Sequence, residues 1–222
     1  QLLSVIQRVQ LVQHQHLHRQ QLNNKKIKEI KESPNKYNLK IYGGDLEIID
    51  YQKEPITIGW TGTHTTLRYL LPLLPVFKSI SEKYNVQLMV ISNENPHFDL
   101  TNFKFIQWKK ESEIEDLKKI SIGLMPLEMD QWSEGKWGFK GLQYMAIGIP
   151  TVVSPVGVNT KIVEHGINGF LAKDLEEWKA YLEQLILNSE LRERIGRNGR
   201  EKVISDFSVL AIKHNFIQLF TP

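Results

Sequence analysis

The chain contains no cysteine in its 222 residues. That excludes disulfides, thiolate nucleophiles and cysteine metal sites, and it permits a reducing location; the cytoplasm is expected. An excess of one charge is also missing. Twenty-eight Lys plus Arg stand against 25 Asp plus Glu, leaving +3, and no aromatics interleave with arginines, so nucleic acid is not an expected partner. Long hydrophobic runs are absent too. The longest uncharged stretch, residues 141–160, is broken by three glycines and two prolines, so a membrane span is not expected and membrane contact would be peripheral only. No signal-peptide pattern is visible. No Asp-x-Asp pair is present to suggest a divalent cation.

From Ile56 onward strand and helix patterns alternate. Residues 56–62 read as a first strand and its turn, 87–92 as a second strand, 103–108 as a third, 121–126 as a fourth, 151–153 as a fifth and 169–172 as a short sixth. Between the first two, Leu67, Leu70, Leu71, Leu74 and Phe77 keep helical spacing, and Pro72 and Pro75 should delay or kink that helix. Ser112 with Glu115 has the form of a capping box opening a helix through Leu117. Asp174 with Glu177 has the same form and precedes Leu175, Trp178, Leu182, Leu185 and Ile186, expected to point inward; further helices begin near Ser189 and Phe207. Six short strands with intervening helices predict an α/β fold, a doubly wound, mostly parallel Rossmann-like sheet. Its ligand crevice would lie outside the carboxyl ends of the strands.

One stretch stands apart: Trp132-Ser-Glu-Gly-Lys-Trp-Gly-Phe-Lys-Gly-Leu-Gln-Tyr-Met-Ala-Ile-Gly-Ile-Pro-Thr-Val-Val-Ser-Pro-Val-Gly157. It reads as a glycine-bearing loop, a helix burying Phe139, Leu142 and Ala146, a stop at Gly148 and a buried strand. Gly138 and Phe139 would offer backbone N–H groups at the helix start. Lys140 and Gln143 share a helix face, with Lys136 one turn back if the helix extends that far. Cations and an amide at the positive end of a helix suit a diphosphate and a sugar hydroxyl. Taken singly, each lysine reads equally as a solvated surface residue and each glycine as a turn former.

The segment Lys140-Gly-Leu-Gln-Tyr-Met-Ala-Ile-Gly-Ile-Pro-Thr-Val-Val, followed by Ser154-Pro-Val-Gly157 and Ile162-Val-Glu-His-Gly-Ile-Asn-Gly-Phe-Leu171, resembles the donor-binding half of GT-B glycosyltransferases of the retaining family-4 type. The resemblance runs over roughly residues 40–220. That family frames this loop and helix with two glutamates separated by seven intervening residues. Here Gln143 stands at the second position, and the first falls on Gly135 with Glu134 adjacent. The resemblance implies a nucleotide-diphosphate sugar as substrate, no cofactor and no metal, a glycan or glycolipid acceptor, and retention at the anomeric carbon. It implies that Gly62 and Thr63 approach the diphosphate, that Gln107 and Trp108 border the base, and that Gln143 accepts from a ribose hydroxyl through its amide oxygen. For Gly62, Thr63 and Trp108, roles in releasing a strand, capping a helix or covering a sheet edge stand beside these. No catalytic side chain is assigned.

The expected organisation is a tail or remnant of an acceptor domain over 1–38, a linker over 39–55, the nucleotide-sugar domain over 56–206 and a terminal helix over 207–222. The chain is thus expected to be a carboxyl-terminal portion with the acceptor domain largely missing, binding donor without turning over acceptor. In the first segment His14, His16 and His18 have spacing that a metal could use, but polar low-complexity sequence explains it as well. Half of a GT-B nucleotide-sugar epimerase, or a non-catalytic nucleotide-binding scaffold, are the alternative functions.

Overall fold

In a computed structural model of the chain, residues 49–128, 139–208 and 211 are described. The chain divides into a unit of Ile49–Lys202 and a second unit of Gln1–Ile48 with Val203–Pro222. In the second unit the described part is a π-helical turn, Val203–Phe207, after which Ala211 N–H donates to Ser208 Oγ (3.1 Å).

The first unit is built on a parallel sheet. Its strands are β1 (Ile56–Thr61), β2 (Val86–Ser92), β3 (Phe103–Gln107), β4 (Ile122–Met125), β5 (Thr151–Val153) and β6 (Phe170–Leu171). Their order is β3-β2-β1-β4-β5-β6. β1 pairs with β2 from Ile56↔Val86 to Thr61↔Ile91 and with β4 at Ile58↔Ile122. The helices are α1 (Leu74–Ser81), α2 (Glu113–Leu117), α3 (Phe139–Ile147), α4 (Asn159–Ile162), α5 (Leu175–Leu187) and α6 (Ser189–Lys202).

Every residue of β1, β4 and β5 is buried, as strands covered on both faces require. One face packs Ile58, Trp60, Leu88, Val90 and Leu124 against Phe77 and Ile80 of α1 and Trp178, Leu182 and Leu185 of α5. On the other, Met89 and Ile91 meet Leu117 of α2 and Tyr144 of α3. The doubly wound α/β fold expected from the strand and helix periodicity is therefore the observed one.

Local departures have physical causes. Pro72 and Pro75 break the leucine-rich segment after β1 into two 3-10 turns, His64–Tyr69 and Leu71–Leu73, before α1 begins, with each proline near the start of its own turn, where a missing N–H costs nothing. The expected capping box at Ser112 does not form. Ser112 precedes α2, but its hydroxyl donates to Asp116 Oδ2 (2.7 Å), which also accepts from Lys119 Nζ through Oδ1 (2.6 Å). At α5 the Asp174 carboxylate does accept from Glu177 N–H (2.9 Å), while the Glu177 carboxylate reaches back to Lys173 N–H (2.9 Å). Leu175, expected inward, is 44% exposed, because it lies in the first turn of α5 before that helix meets the sheet.

Candidate functional site

Strand order reverses between β1 and β4, since β2 and β3 follow β1 on one side and β5 and β6 follow β4 on the other. At such a switch point the turns leaving the two strands diverge and open a crevice at their carboxyl ends. The turn after β1 carries Gly62 and Thr63; the connection after β4 leads into α3, which carries Phe139, Lys140 and Gln143. Lys136 and Gly138 lie outside the described residues.

Lys140 spans the switch point. Its ammonium sits 4.6 Å from the centroid of the Trp60 ring and 3.4 Å from Thr66 Oγ1, so a residue of α3 reaches the end of β1 and the turn that follows. The indole face attracts the cation, a contact of about 0.5–2 kcal/mol. Gly62 makes this approach possible: a Cβ there would lie 2.7 Å from Lys140 Nζ and press into the Trp60 ring. Its own N–H continues the sheet ladder to Ile91 O (3.0 Å) and so is already used. Thr63 belongs to a threonine cluster, with its N–H donating to Thr66 Oγ1 (3.2 Å) and its hydroxyl 2.8 Å from that of Thr65. Phe139 is the first residue of α3 and half-buried; two residues on, Gly141 N–H is directed at Met125 Sδ (3.3 Å).

Lys140 and Gln143 start from one helix but serve different loops. Gln143 is buried, and its Nε2 donates to Glu113 Oε1 (3.3 Å) at the start of α2, beyond β3. The same oxygen accepts from Trp108 Nε1 (3.1 Å). Trp108 remains 39% exposed, and its N–H extends the ladder to Ser92 O (2.8 Å). Gln107 lies beside it, donating from Nε2 to Asn93 O (3.0 Å). Asn93 in turn joins the turns after β1 and β2: its Oδ1 accepts from His64 N–H (2.9 Å), and its Nδ2 lies 2.9 Å from His64 Nδ1. His64 Nδ1 also lies 3.2 Å from Glu94 Oε1.

Beneath these loops, Tyr144 is buried with its hydroxyl accepting from Thr61 N–H (2.9 Å), tying α3 to the last residue of β1. Burial pushes its phenol well above the ordinary value, so it stays neutral. Ser154 holds the neighbouring turn, its Oγ accepting from Leu127 N–H (2.9 Å) and its carbonyl from Asn159 Nδ2 (2.9 Å). Sequence reasoning assigned no role to Thr66, Asn93 or Glu113. Only the tertiary approach of three separate turns brings them to the crevice.

The crevice therefore presents a cation on its β1 side and a carboxylate with an exposed indole on its β3 side. With that geometry in view, the chain belongs to the glycosyl transferases group 1 family, whose model matches residues 73–202, more than half of its length. It is similar to spore coat protein SA of Bacillus subtilis (strain 168), 31% identical over 119 residues, 52% of this chain and 31% of that protein. It is also similar to the capsular polysaccharide biosynthesis glycosyltransferase CapM of Staphylococcus aureus, 25% identical over 159 residues, 68% of this chain and 42% of that protein. Both matched stretches thus span less than half of the relatives' own length. In fold it resembles Anabaena Alr3699/HepE, solved in complex with UDP and glucose, with a TM-score of 0.62 at 15% identity over 74% of this chain and 48% of that one. Among the described residues no helix is long and apolar enough to cross a membrane.

Proposed function

We propose that the Ile49–Lys202 unit binds a nucleoside diphosphate sugar and serves in retaining transfer of that sugar to a glycan or lipid-linked acceptor. The observation that carries this reading is Lys140 Nζ at the switch point, seated over Trp60 and against Gly62. A diphosphate placed there would meet the ammonium and the amino end of α3 together, and both favour negative charge. In the transfer, the bond from C1 of the sugar to the diphosphate oxygen breaks, an acceptor hydroxyl oxygen bonds to C1, and the hydroxyl proton and the diphosphate depart. Charge grows on the leaving diphosphate as that bond lengthens. A cation fixed in a half-covered crevice stabilises the departing group more than it stabilises the intact donor. Lys136 and the Gly138 amide would add to this stabilisation. The family membership, and the UDP and glucose in the HepE structure that this fold resembles, support the choice of ligand class.

A thermal-shift panel of nucleoside diphosphates and their sugars at millimolar concentration tests the reading. At least one should raise the melting temperature, since a ligand that binds only the folded state stabilises it. Lys140→Ala should weaken that ligand by about tenfold or more, the scale of a lost charge-assisted hydrogen bond. No shift with any of them would favour a scaffold that has lost donor binding.

A further inference from the structure

The carboxylate on the β3 side of the crevice is held in an asymmetric way. Glu113 is half-buried at the start of α2, and both of its donors, Trp108 Nε1 and Gln143 Nε2, reach the same oxygen, Oε1. Among the described residues its Oε2 accepts no hydrogen bond, and neither does Gln143 Oε1. Two acceptors thus sit together, one of them charged, without a donor of their own. An ionised carboxylate only accepts hydrogen bonds, so a ligand here must bring O–H or N–H groups, and a phosphate would be repelled.

We infer that Glu113 is the ribose-reading residue of the crevice, its Oε2 accepting from a hydroxyl of the vicinal 2′,3′ pair with Gln143 Oε1 beside it. This rests on the nucleotide reading above. Vicinal hydroxyls also occur on the transferred sugar, but the exposed Trp108 indole hydrogen-bonded to Glu113 favours the ribose. An indole face suits a stacked base, and the ribose is the sugar attached to that base. The two sides of the crevice then divide the work, with the cation at Lys140 for the diphosphate and the anion at Glu113 for the hydroxyls. Acceptors of this kind, once covered by a bound ligand, reject an analogue lacking the hydroxyl, because they are left unpaired.

Titration calorimetry on the full chain decides it, using UDP, or whichever nucleoside diphosphate stabilises the chain most, against its 2′-deoxy and 3′-deoxy counterparts. At least one deoxy form should bind about tenfold or more weakly to the unaltered chain, a comparison that needs no variant to fold. In Glu113→Ala the ribo form should weaken by a similar factor while that deoxy form changes by about twofold or less, so the discrimination collapses. Equal affinity for all three forms in the unaltered chain overturns the inference. So does discrimination that survives Glu113→Ala, or a loss equal for ribo and deoxy forms, as a base-reading or merely structural role would give. A diphosphate sugar that loses affinity in Glu113→Ala when the free diphosphate does not would place the hydroxyls on the transferred sugar instead. If no nucleoside diphosphate binds the unaltered chain, the nucleotide reading itself fails, a result distinct from all of these.

Discussion

Gln143 shows at the scale of one residue what a glutamate at the second position of the paired pattern would meet in this chain. Its Nε2 lies 3.3 Å from Glu113 Oε1 and donates to it; a glutamate at 143 would set a second carboxylate against the first. Gln143→Glu should therefore lower stability at pH 7 by about 1–3 kcal/mol, from a lost donor and like-charge repulsion. Urea unfolding of both proteins at pH 7 checks this, with equal stability contradicting it. The positions of Lys140 and Gln143 on one helix and of Trp108 after a strand end were legible in the sequence, because helical spacing and strand pattern place them. Glu113 was not, since it lay inside a Ser-x-x-Glu pattern that reads as a cap, and only the fold reveals that Ser112 turns to Asp116 instead.

Among the elements, α2 is the short helix on which the β3 side of the crevice depends. Its start is fixed by Asp116, buried and bonded to Ser112 and Lys119. Burial opposes ionisation of this carboxyl, but the hydrogen bonds from Lys119 and Ser112 outweigh it and hold the group below its ordinary value. Its contribution is thus fully present above the unfolded carboxyl value of about 4 and is lost as pH falls through the lower folded value. Asp116→Asn should cost about 1–3 kcal/mol at pH 7 and less near pH 3, read from chemical denaturation at the two pH values. A constant difference would mean that the charge is not what fixes the helix. Elsewhere the elements were readable wherever a local rule governs. Prolines delay α1, and Gly148 ends α3 at a φ of 89°, a conformation glycine adopts freely. Leu175 escaped because periodicity alone does not say where along α5 contact with the sheet begins.

Over the whole unit, the alternation of buried strands and helices made the sheet legible, whereas the order of its strands was not. That order arises from which crossover packs on which face, and it places the β1 turn against the start of α3 rather than beside a sequence neighbour. Lys140 beside Gly62, 78 residues apart in numbering (140 minus 62), is the product. In the same way the sheet brings Trp108 and Gln143 to one carboxylate. The proposed donor site and the proposed ribose contact share one crevice, in which the Lys140 cation and the Glu113 carboxylate would receive different parts of one nucleotide. A crystal structure of the chain with UDP bound tests this most directly. The account predicts a diphosphate oxygen within about 3 Å of Lys140 Nζ and the base over Trp108; UDP bound away from the turns after β1 and β3, with Lys140 still closed on Trp60 and Thr66, would contradict it.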